Sequence, residues 1–162
     1  MATRVQFIHG LEGSPQGHKA RLLDSCFEAR AAAMDTSDFE GCVLLQADTI
    51  NQFDPDVLVG SSFGGAVALA LLQRGLWQGP TLLLAQAGLR YGLPALLPAG
   101  VPVWIVHGLR DVVIDPEDSR TLAAHGDPQQ VRLIEVDDDH GLFSIVGNED
   151  LVRWVNELAE LA

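Results

Sequence analysis

The sequence predicts an α/β protein: a doubly wound, mostly parallel sheet of six strands with helices on both faces. Three observations support this fold class. Strand-like and helix-like segments alternate along all 162 residues. The strand candidates are nearly continuous apolar runs, which is typical of strands buried on both faces of a parallel sheet. Polar clusters follow four of these strands, at the ends where ligands bind in such sheets.

Length and composition favour a single domain over residues 1–162. The net charge of −12 argues against binding to nucleic acid or to an anionic membrane surface, because both require clustered cations. No apolar run is long enough for a membrane span, and no targeting segment is evident at the N-terminus. Cys26 and Cys42 are the only cysteines, and both lie in predicted helices. We therefore expect free thiols and a cytoplasmic protein.

The first predicted elements are a strand over residues 5–8, a helix over 17–30 and a short strand over 31–34. Residues 39–53 follow a helix-start cluster of Asp, Thr and Ser, and their apolar residues recur at helical spacing. A strand over 42–45 is the competing interpretation. We favour the helix, because a parallel sheet needs a crossover before its next strand.

The central stretch combines a strand, a tight turn and a helix. Residues 57–59 are an apolar strand candidate, and residues 66–72 are strong helix formers. Between them, Gly60-Ser61-Ser62-Phe63-Gly64 fits the pattern G-x-S-x-G with Ser62 at its centre. In this pattern a sharp strand-to-helix turn exposes a nucleophilic hydroxyl, and the two glycines relieve crowding around it. Ser62 is therefore the candidate nucleophile.

The second half of the chain continues the alternation. The predicted elements are strands over residues 81–85, 101–106 and 131–136 and helices over 116–125 and 149–161. The segment 86–100 contains several glycines, prolines and leucines without a clear period. We interpret it as a short lid-like excursion over the sheet edge. Its apolar side chains Leu89, Tyr91 and Leu93 are the candidate substrate-binding residues.

His140 is the candidate general base among five histidines. It alone combines a late position, a loop after a strand and a following glycine. His9 and His107 each precede a glycine at a strand end, where an imidazole typically braces the loop. His18 lies at a helix start. His125 lies at a helix end, where interaction with the helix dipole accounts for it.

Asp111 is the candidate orienting acid, because it follows the strand that ends at His107. A turn residue is the structural alternative for it. Asp115 is a rival, but its place before Pro116 is explained by helix capping. The acidic run at 137–139 lacks a second histidine with ligand spacing, so we expect neither a metal nor another cofactor.

Four motifs in this order resemble those of the α/β-hydrolases, particularly their small bacterial, esterase-like members. The resemblance covers almost the whole chain. It implies Ser62 as nucleophile, Asp111 as acid and His140 as base. It also implies an oxyanion hole formed by the backbone N–H groups of Phe63 and Leu11. The motifs are His9-Gly10-Leu11-Glu12-Gly13-Ser14-Pro15, Gly60-Ser61-Ser62-Phe63-Gly64-Gly65, His107-Gly108-Leu109-Arg110-Asp111 and Asp139-His140-Gly141.

The chain departs from the full-size family in two respects. The two antiparallel strands that open the larger sheet have no counterpart before the strand at 5–8. In addition, Asp139 stands before His140, where the family more often has glycine. This extra carboxylate bears mainly on which class of substrate the protein accepts. It bears less on the assignment of the three catalytic candidates.

The leading hypothesis is a serine hydrolase that acts on a small carboxylic ester or thioester, a small-molecule partner. One alternative is a hydrolase-fold binding protein without turnover. Another is amide or C–C bond hydrolysis by the same three residues, because a fold does not determine a reaction. The sequence does not indicate the acyl group or the oligomeric state.

Overall fold

The computed structural model describes residues 2–11 and 13–162. Glu12, which belongs to the first of the four motifs, lies outside the described residues. The elements of the described chain are β1 (Arg4–Ile8), α1 (His18–Cys26), β2 (Glu28–Arg30), α2 (Phe39–Phe53), β3 (Val57–Ser61), α3 (Phe63–Gln73), β4 (Thr81–Leu84), a 3₁₀ turn (Leu89–Tyr91), β5 (Val103–Gly108), α4 (Pro116–Ala124), β6 (Val131–Val136), α5 (Phe143–Gly147) and α6 (Asp150–Ala159).

The six strands form one sheet in the order β2-β1-β3-β4-β5-β6. Every neighbouring pair in this sheet is parallel. The predicted fold class is therefore confirmed. The chain runs outward from β1 to β2 and then returns to add β3 to β6 on the other side. This reversal between β1 and β3 is the kind of switch point where open α/β sheets bind ligands.

Apolar side chains cover both faces of the sheet. Along β1, Phe7 packs in the layer that contains α1 and α6, whereas Ile8 packs in the layer with α2 and α3. Helix α3 is buried at every position from Phe63 to Leu72, which explains why its sequence is apolar all round. No helix in the described residues has the length and apolar character needed to cross a membrane.

The second strand lies earlier than the sequence suggested. Helix α1 ends at Cys26 instead of continuing to residue 30, and β2 occupies Glu28–Arg30 instead of 31–34. The N–H of Glu28 donates to the carbonyl of Thr3 at 3.0 Å, which starts the pairing with β1. The strand is at the sheet edge and two of its three residues are exposed, so it has no apolar pattern to reveal it.

The predicted helix over 39–53 is confirmed, and the competing strand over 42–45 is wrong. The Asp38 side chain accepts the N–H of Gly41 at 3.0 Å and caps α2. Val43, Ile50 and Phe53 are buried on the face that contacts the rest of the protein. The sequence did not predict helix α5, whose five residues are too few for a visible period.

The segment 86–100 folds down against α3. The side-chain amide of Gln73 donates to the carbonyls of Pro94 and Leu96, at 2.7 and 2.9 Å. Leu93 and Leu97 pack against the core layer that contains α3. These contacts hold the segment 86–100 against α3, in the helix layer on that face of the sheet.

Candidate active site

The three sequence-predicted catalytic residues lie at one edge of the sheet. Ser62 follows β3, Asp111 follows β5 and His140 follows β6. All strands are parallel, so their carboxyl ends point to the same edge. The topology therefore brings together side chains that are 29 and 78 residues apart in sequence.

Ser62 has the strained backbone expected at the centre of the elbow, with φ 56° and ψ −115°. Its N–H donates to the carbonyl of Leu84 on β4 at 2.9 Å, which holds the strained residue at the sheet edge. A Cβ atom on Gly60 would lie 2.5 Å from the Gly64 carbonyl oxygen. The turn is thus possible only because residue 60 lacks a side chain.

The side chains of Ser62, His140 and Asp111 form a continuous series of close contacts. The Ser62 Oγ lies 3.0 Å from His140 Nε2, and His140 Nδ1 lies 2.7 Å from Asp111 Oδ2. An ionised carboxylate only accepts hydrogen bonds, so Nδ1 carries the proton. Nε2 is then free to accept the Ser62 hydroxyl proton, and this geometry allows His140 to act as a base toward Ser62.

Asp111 is held by its own turn. Its Oδ1 accepts the N–H groups of Val113 and Ile114, each at 2.9 Å. Burial raises the pKa of this carboxyl, but hydrogen bonds from Ile114, His140 and Val113 outweigh burial and lower the pKa overall. The group therefore stays ionised beside the imidazole. Asp115 instead accepts the N–H of Glu117 at 2.9 Å and caps α4, as predicted.

The loop that carries His140 is fixed by Asp138, which the sequence analysis did not single out. The Asp138 carboxylate is buried and accepts the backbone N–H and the hydroxyl of Ser144, at 2.9 and 2.6 Å. It also accepts the N–H of Asp139 at 2.8 Å. From α1, the ammonium group of Lys19 donates to the Gly141 carbonyl at 2.8 Å. These contacts hold the loop from both sides of His140.

Asp139 points its carboxylate back into its own loop. Its Oδ1 accepts the N–H of Gly141 at 3.0 Å, so the extra carboxylate caps the turn that contains His140. Asp139 also borders the cavity beside Ser62. Its neighbour Asp137 forms an exposed ion pair with Arg110 at 2.9 Å. In the residues that the structure describes, no group of His, Cys, Asp or Glu is arranged to hold a metal ion.

Two other histidines brace the backbone, which the sequence suggested for His9 but not for His125. The Nδ1 of His9 lies 2.8 Å from the Gly10 carbonyl oxygen, and the Nδ1 of His125 lies 2.8 Å from the Thr121 carbonyl oxygen. Both rings therefore donate to the main chain. His18 is different, because it contacts the Phe143 ring edge-on at a centroid distance of 5.2 Å.

The backbone around Ser62 offers two places for oxyanion donors. Phe63 is the first residue of α3, where helical N–H groups have no partner inside the helix. On the opposite side, Gly10 approaches so closely that a Cβ atom there would lie 3.1 Å from the Ser62 Cβ. Leu11 follows Gly10 and borders the cavity beside Ser62. The oxyanion role of Phe63 and Leu11 stays a prediction.

A cavity of about 630 Å³ opens beside Ser62. It lies between the loop after β1, the start of α1 and the loops that carry Asp111 and His140. Its lining includes the apolar side chains of Phe7, Leu11, Val112, Val113 and Phe143 and the polar side chains of His9, His18, Lys19, Ser61 and Asp139.

The structure does not place Leu89, Tyr91 and Leu93 on this cavity, and this corrects the lid interpretation of 86–100. Tyr91 stacks on Phe39 at a centroid distance of 5.5 Å and contacts Phe63 edge-on at 5.2 Å. Leu93 packs against the core. Because 86–100 is tied to α3, it cannot cover the cavity on the α1 side. The sequence did offer one indication of the cavity wall, because Val112 and Val113 directly follow the candidate acid Asp111.

The comparisons with known proteins agree with this architecture. No protein-family profile matches the chain, and no curated protein matches it. Solved structures do match. An inferred hydrolase of the alpha/beta superfamily from Xanthomonas campestris pv. campestris aligns with a TM-score of 0.81 at 24% identity, over 99% of both chains.

Two further structures extend the likeness to other organisms. A monoacylglycerol lipase from Paleococcus ferrophilus aligns with a TM-score of 0.71 at 15% identity, over 98% of this chain and 95% of that chain. The mouse alpha/beta hydrolase domain-containing protein 10 aligns with a TM-score of 0.73 at 16% identity, over 98% and 88%. At such identities the likeness concerns the fold, and the chain has the fold of the α/β-hydrolase superfamily.

Proposed function

We propose that this protein is a serine hydrolase that cleaves a small carboxylic ester or thioester through an acyl-enzyme on Ser62. The observation that carries the proposal is the series from Ser62 through His140 to Asp111, with contacts of 3.0 and 2.7 Å. Ser62 and His140 border a cavity, in a fold whose solved examples include hydrolases. The same arrangement of roles performs acyl transfer on several unrelated folds.

In the acylation step, the Ser62 oxygen attacks the substrate carbonyl carbon while its proton moves to His140 Nε2. The imidazolium that forms is stabilised by Asp111, whose carboxylate stays ionised. Collapse of the tetrahedral intermediate breaks the bond to the leaving alcohol or thiol. His140 returns the proton to that leaving group, and the acyl group remains on Ser62.

In the deacylation step, a water molecule gives its proton to His140 and attacks the acyl-enzyme. The second tetrahedral intermediate collapses to a carboxylic acid, and Ser62 regains its proton. In both steps negative charge develops on the former carbonyl oxygen. The N–H of Phe63, at the N-terminus of α3, and that of Leu11 are the proposed donors for this charge.

The cavity supports a small acyl substrate. Its volume of about 630 Å³ is within the usual range for small-molecule sites. Val112, Val113 and Phe143 offer apolar surface beside Ser62, although each is more than half exposed. Such surface stabilises an acyl chain only as far as the wall extends, because the gain of about 0.8 kcal/mol per methylene requires burial.

A fluorophosphonate probe tests the proposal directly. We expect a covalent adduct on Ser62 alone, identified by peptide mass spectrometry, and its loss in Ser62→Ala. Ser37→Ala is a matched control, because Ser37 is exposed and its hydroxyl bonds only Asp35. An adduct on Ser61 or Ser14, or an active protein without an adduct, would contradict the assignment of Ser62.

A panel of p-nitrophenyl esters and thioesters of graded acyl length tests the reaction class. Turnover that disappears in Ser62→Ala supports ester or thioester hydrolysis. Labelling of Ser62 without turnover of either class would favour amide or C–C bond hydrolysis. Neither labelling nor turnover would favour a binding protein that retains the hydrolase fold.

A further inference from the structure

His107 is a buried histidine that the proposed mechanism does not use. It lies on β5, four residues before Asp111, and its side chain is fully buried. Its Nε2 lies 3.0 Å from the Ile114 carbonyl oxygen and 3.1 Å from Asp111 Oδ2. Its Nδ1 lies 2.6 Å from the Ser119 Oγ. Both ring nitrogens therefore contact groups that also hold the candidate catalytic acid or α4.

A buried hydrogen-bond chain leads to His107 from the opposite side. The N–H of Gly88 donates to Gln86 Oε1 at 2.8 Å, which determines which end of the Gln86 amide carries the oxygen. The amide nitrogen then donates to the Ser119 Oγ at 3.1 Å. Gln86, Ser119 and His107 each have no exposed surface. Water is thus not an alternative partner for these three side chains.

This chain determines which nitrogen of His107 carries a proton. The Ile114 carbonyl can only accept, so the proton must be on Nε2. In the neutral ring Nδ1 is then an acceptor, and the Ser119 hydroxyl supplies its proton. Ser119 can donate in this direction because its oxygen already accepts from Gln86.

The Nε2–H of His107 acts on Asp111 in two ways. It holds the carbonyl of Ile114, the residue whose own N–H bonds Asp111 Oδ1 at 2.9 Å. It also lies beside Oδ2, the oxygen that accepts from His140 at 2.7 Å. The first contact fixes the turn that orients the carboxylate. The second places a positive N–H dipole against the oxygen that faces His140.

We propose that His107 is a positioning residue for Asp111 and that Gln86 and Ser119 hold His107 in its Nε2–H tautomer. This inference rests on the proposed function of Ser62, His140 and Asp111, and it adds a residue that contacts neither substrate nor Ser62. His107 does not border the cavity. Its loss should therefore change kcat and leave KM unchanged.

Charged groups around the two rings define how a change at His107 reaches His140. The charged groups near His107 are Asp111 and Glu135, and Glu135 is paired with Arg120. Those near His140 are Asp111, Asp138, Asp139 and Lys19. Among the charged residues that the structure describes, only Asp111 contacts both rings. Removing the Nε2–H takes a donor away from Oδ2, the oxygen that also faces His140. The acid limb of the kcat/KM profile should then move to higher pH.

Two substitutions separate positioning from packing. His107→Met removes the donor, and we expect kcat to fall about ten- to a hundredfold with KM unchanged and the acid limb raised. His107→Gln places an amide N–H near the Nε2 position and should keep kcat within about threefold of wild type. Equal kcat values for the two variants, or an unmoved acid limb in His107→Met, would overturn the proposal. His125→Gln, at an exposed helix end, is the matched control.

If His107→Met does not fold, Ser119→Ala carries the kinetic test. This variant leaves Nδ1 of His107 without its donor, so the ring is held only through Nε2 and can tilt away from Oδ2. We therefore expect kcat to fall about three- to tenfold with the same shift of the acid limb. Wild-type kcat and an unchanged pH profile in Ser119→Ala would contradict the proposal that Gln86 and Ser119 hold His107 in place.

A spectroscopic measurement decides the tautomer without any turnover. Two-bond ¹⁵N–¹H spectra of the wild-type protein labelled at histidine should show His107 neutral with its proton on Nε2, assigned by the signals that His107→Gln removes. A proton on Nδ1 would refute the inference even in an active enzyme. If the proposed function fails instead, wild-type protein will show neither fluorophosphonate labelling nor ester turnover, whatever the tautomer.

Discussion

Helix α3 crosses strand β1 so closely at Gly64 that a Cβ atom there would overlap the carbonyl oxygen of Ile8. This contact brings the start of α3 against the end of β1, and it places Gly10 beside Ser62. The candidate nucleophile and the loop that is predicted to complete the oxyanion hole therefore meet because one side chain is absent.

Gly64→Ala should destabilise the protein and disturb the elbow. The added methyl group meets backbone, which cannot rotate away, so we expect a loss of about 2 kcal/mol or more in the free energy of unfolding. Urea denaturation measures this loss, and the rate of fluorophosphonate labelling should fall with it. Gly147→Ala is the control, because a Cβ atom there meets nothing within 4 Å. Equal stability of the two variants would show that the close approach is not required.

Asp111→Asn and Asp115→Asn should differ strongly in turnover. Replacing Asp111 by its amide leaves the shape intact but no longer holds His140 with its proton on Nδ1, so kcat should fall by about three to four orders of magnitude. Asp115→Asn should retain most activity, because Asn also caps helices. A large loss in Asp115→Asn, or equal losses in both, would mean that the wrong carboxylate is assigned.

The preference for acyl length should respond to Phe143 and not to the segment 86–100. In the wild type kcat/KM should rise over the first few carbons and then level off or fall by about C6 to C8, because the wall is short. Phe143→Ala removes part of that wall and should lower kcat/KM for the longer chains by about tenfold. Leu96→Ala, an exposed position in 86–100, should leave the series unchanged. A steady rise to C12 would require a deeper channel.

Asp138→Asn should weaken the loop that carries His140 and change the response to acid. Burial raises the pKa of Asp138, but hydrogen bonds from Ser144 and Asp139 outweigh it and lower the pKa below the ordinary 3.8. The stabilisation is therefore present above the unfolded-state value and is lost as pH falls through the lowered folded-state value. The variant should be about 1–3 kcal/mol less stable at pH 7.

Denaturation curves recorded from neutral pH down to about pH 2 test this prediction. The stability gap between wild type and Asp138→Asn should close over the lowest pH values, because the wild-type carboxyl becomes protonated there. Asp137→Asn is the matched control, since its exposed pair with Arg110 contributes little. A gap that stays constant down to pH 2 would show that the Asp138 charge is not responsible.

The sequence by itself determined the fold class and the three candidate catalytic residues. The alternation of elements, the buried character of the strands and the G-x-S-x-G turn are local properties, and each is readable without a partner. Parallel strands carry their loops to one edge, so positions after β3, β5 and β6 could be expected to meet. The structure does bring Ser62, Asp111 and His140 into contact.

Only the tertiary structure decided where the edge strand β2 lies and which side chains border the cavity. β2 pairs on one side only, and two of its three residues are exposed, so no burial pattern marks Glu28–Arg30 in the sequence. The direction of 86–100 depends on the hydrogen bonds that Gln73 makes to it, a contact between residues more than twenty positions apart. Local periodicity carries no information about such contacts.

The hydrogen-bond series from Gln86 through Ser119 to His107 is likewise decided by the tertiary structure. Each of these residues belongs to a different element, and none has a neighbour in sequence that reveals its partner. Their pairing follows from burial, because polar groups without access to water must satisfy one another. Sequence patterns identify the reacting side chains here, whereas the packing of β5, α4 and the turn after β4 selects the groups that hold them.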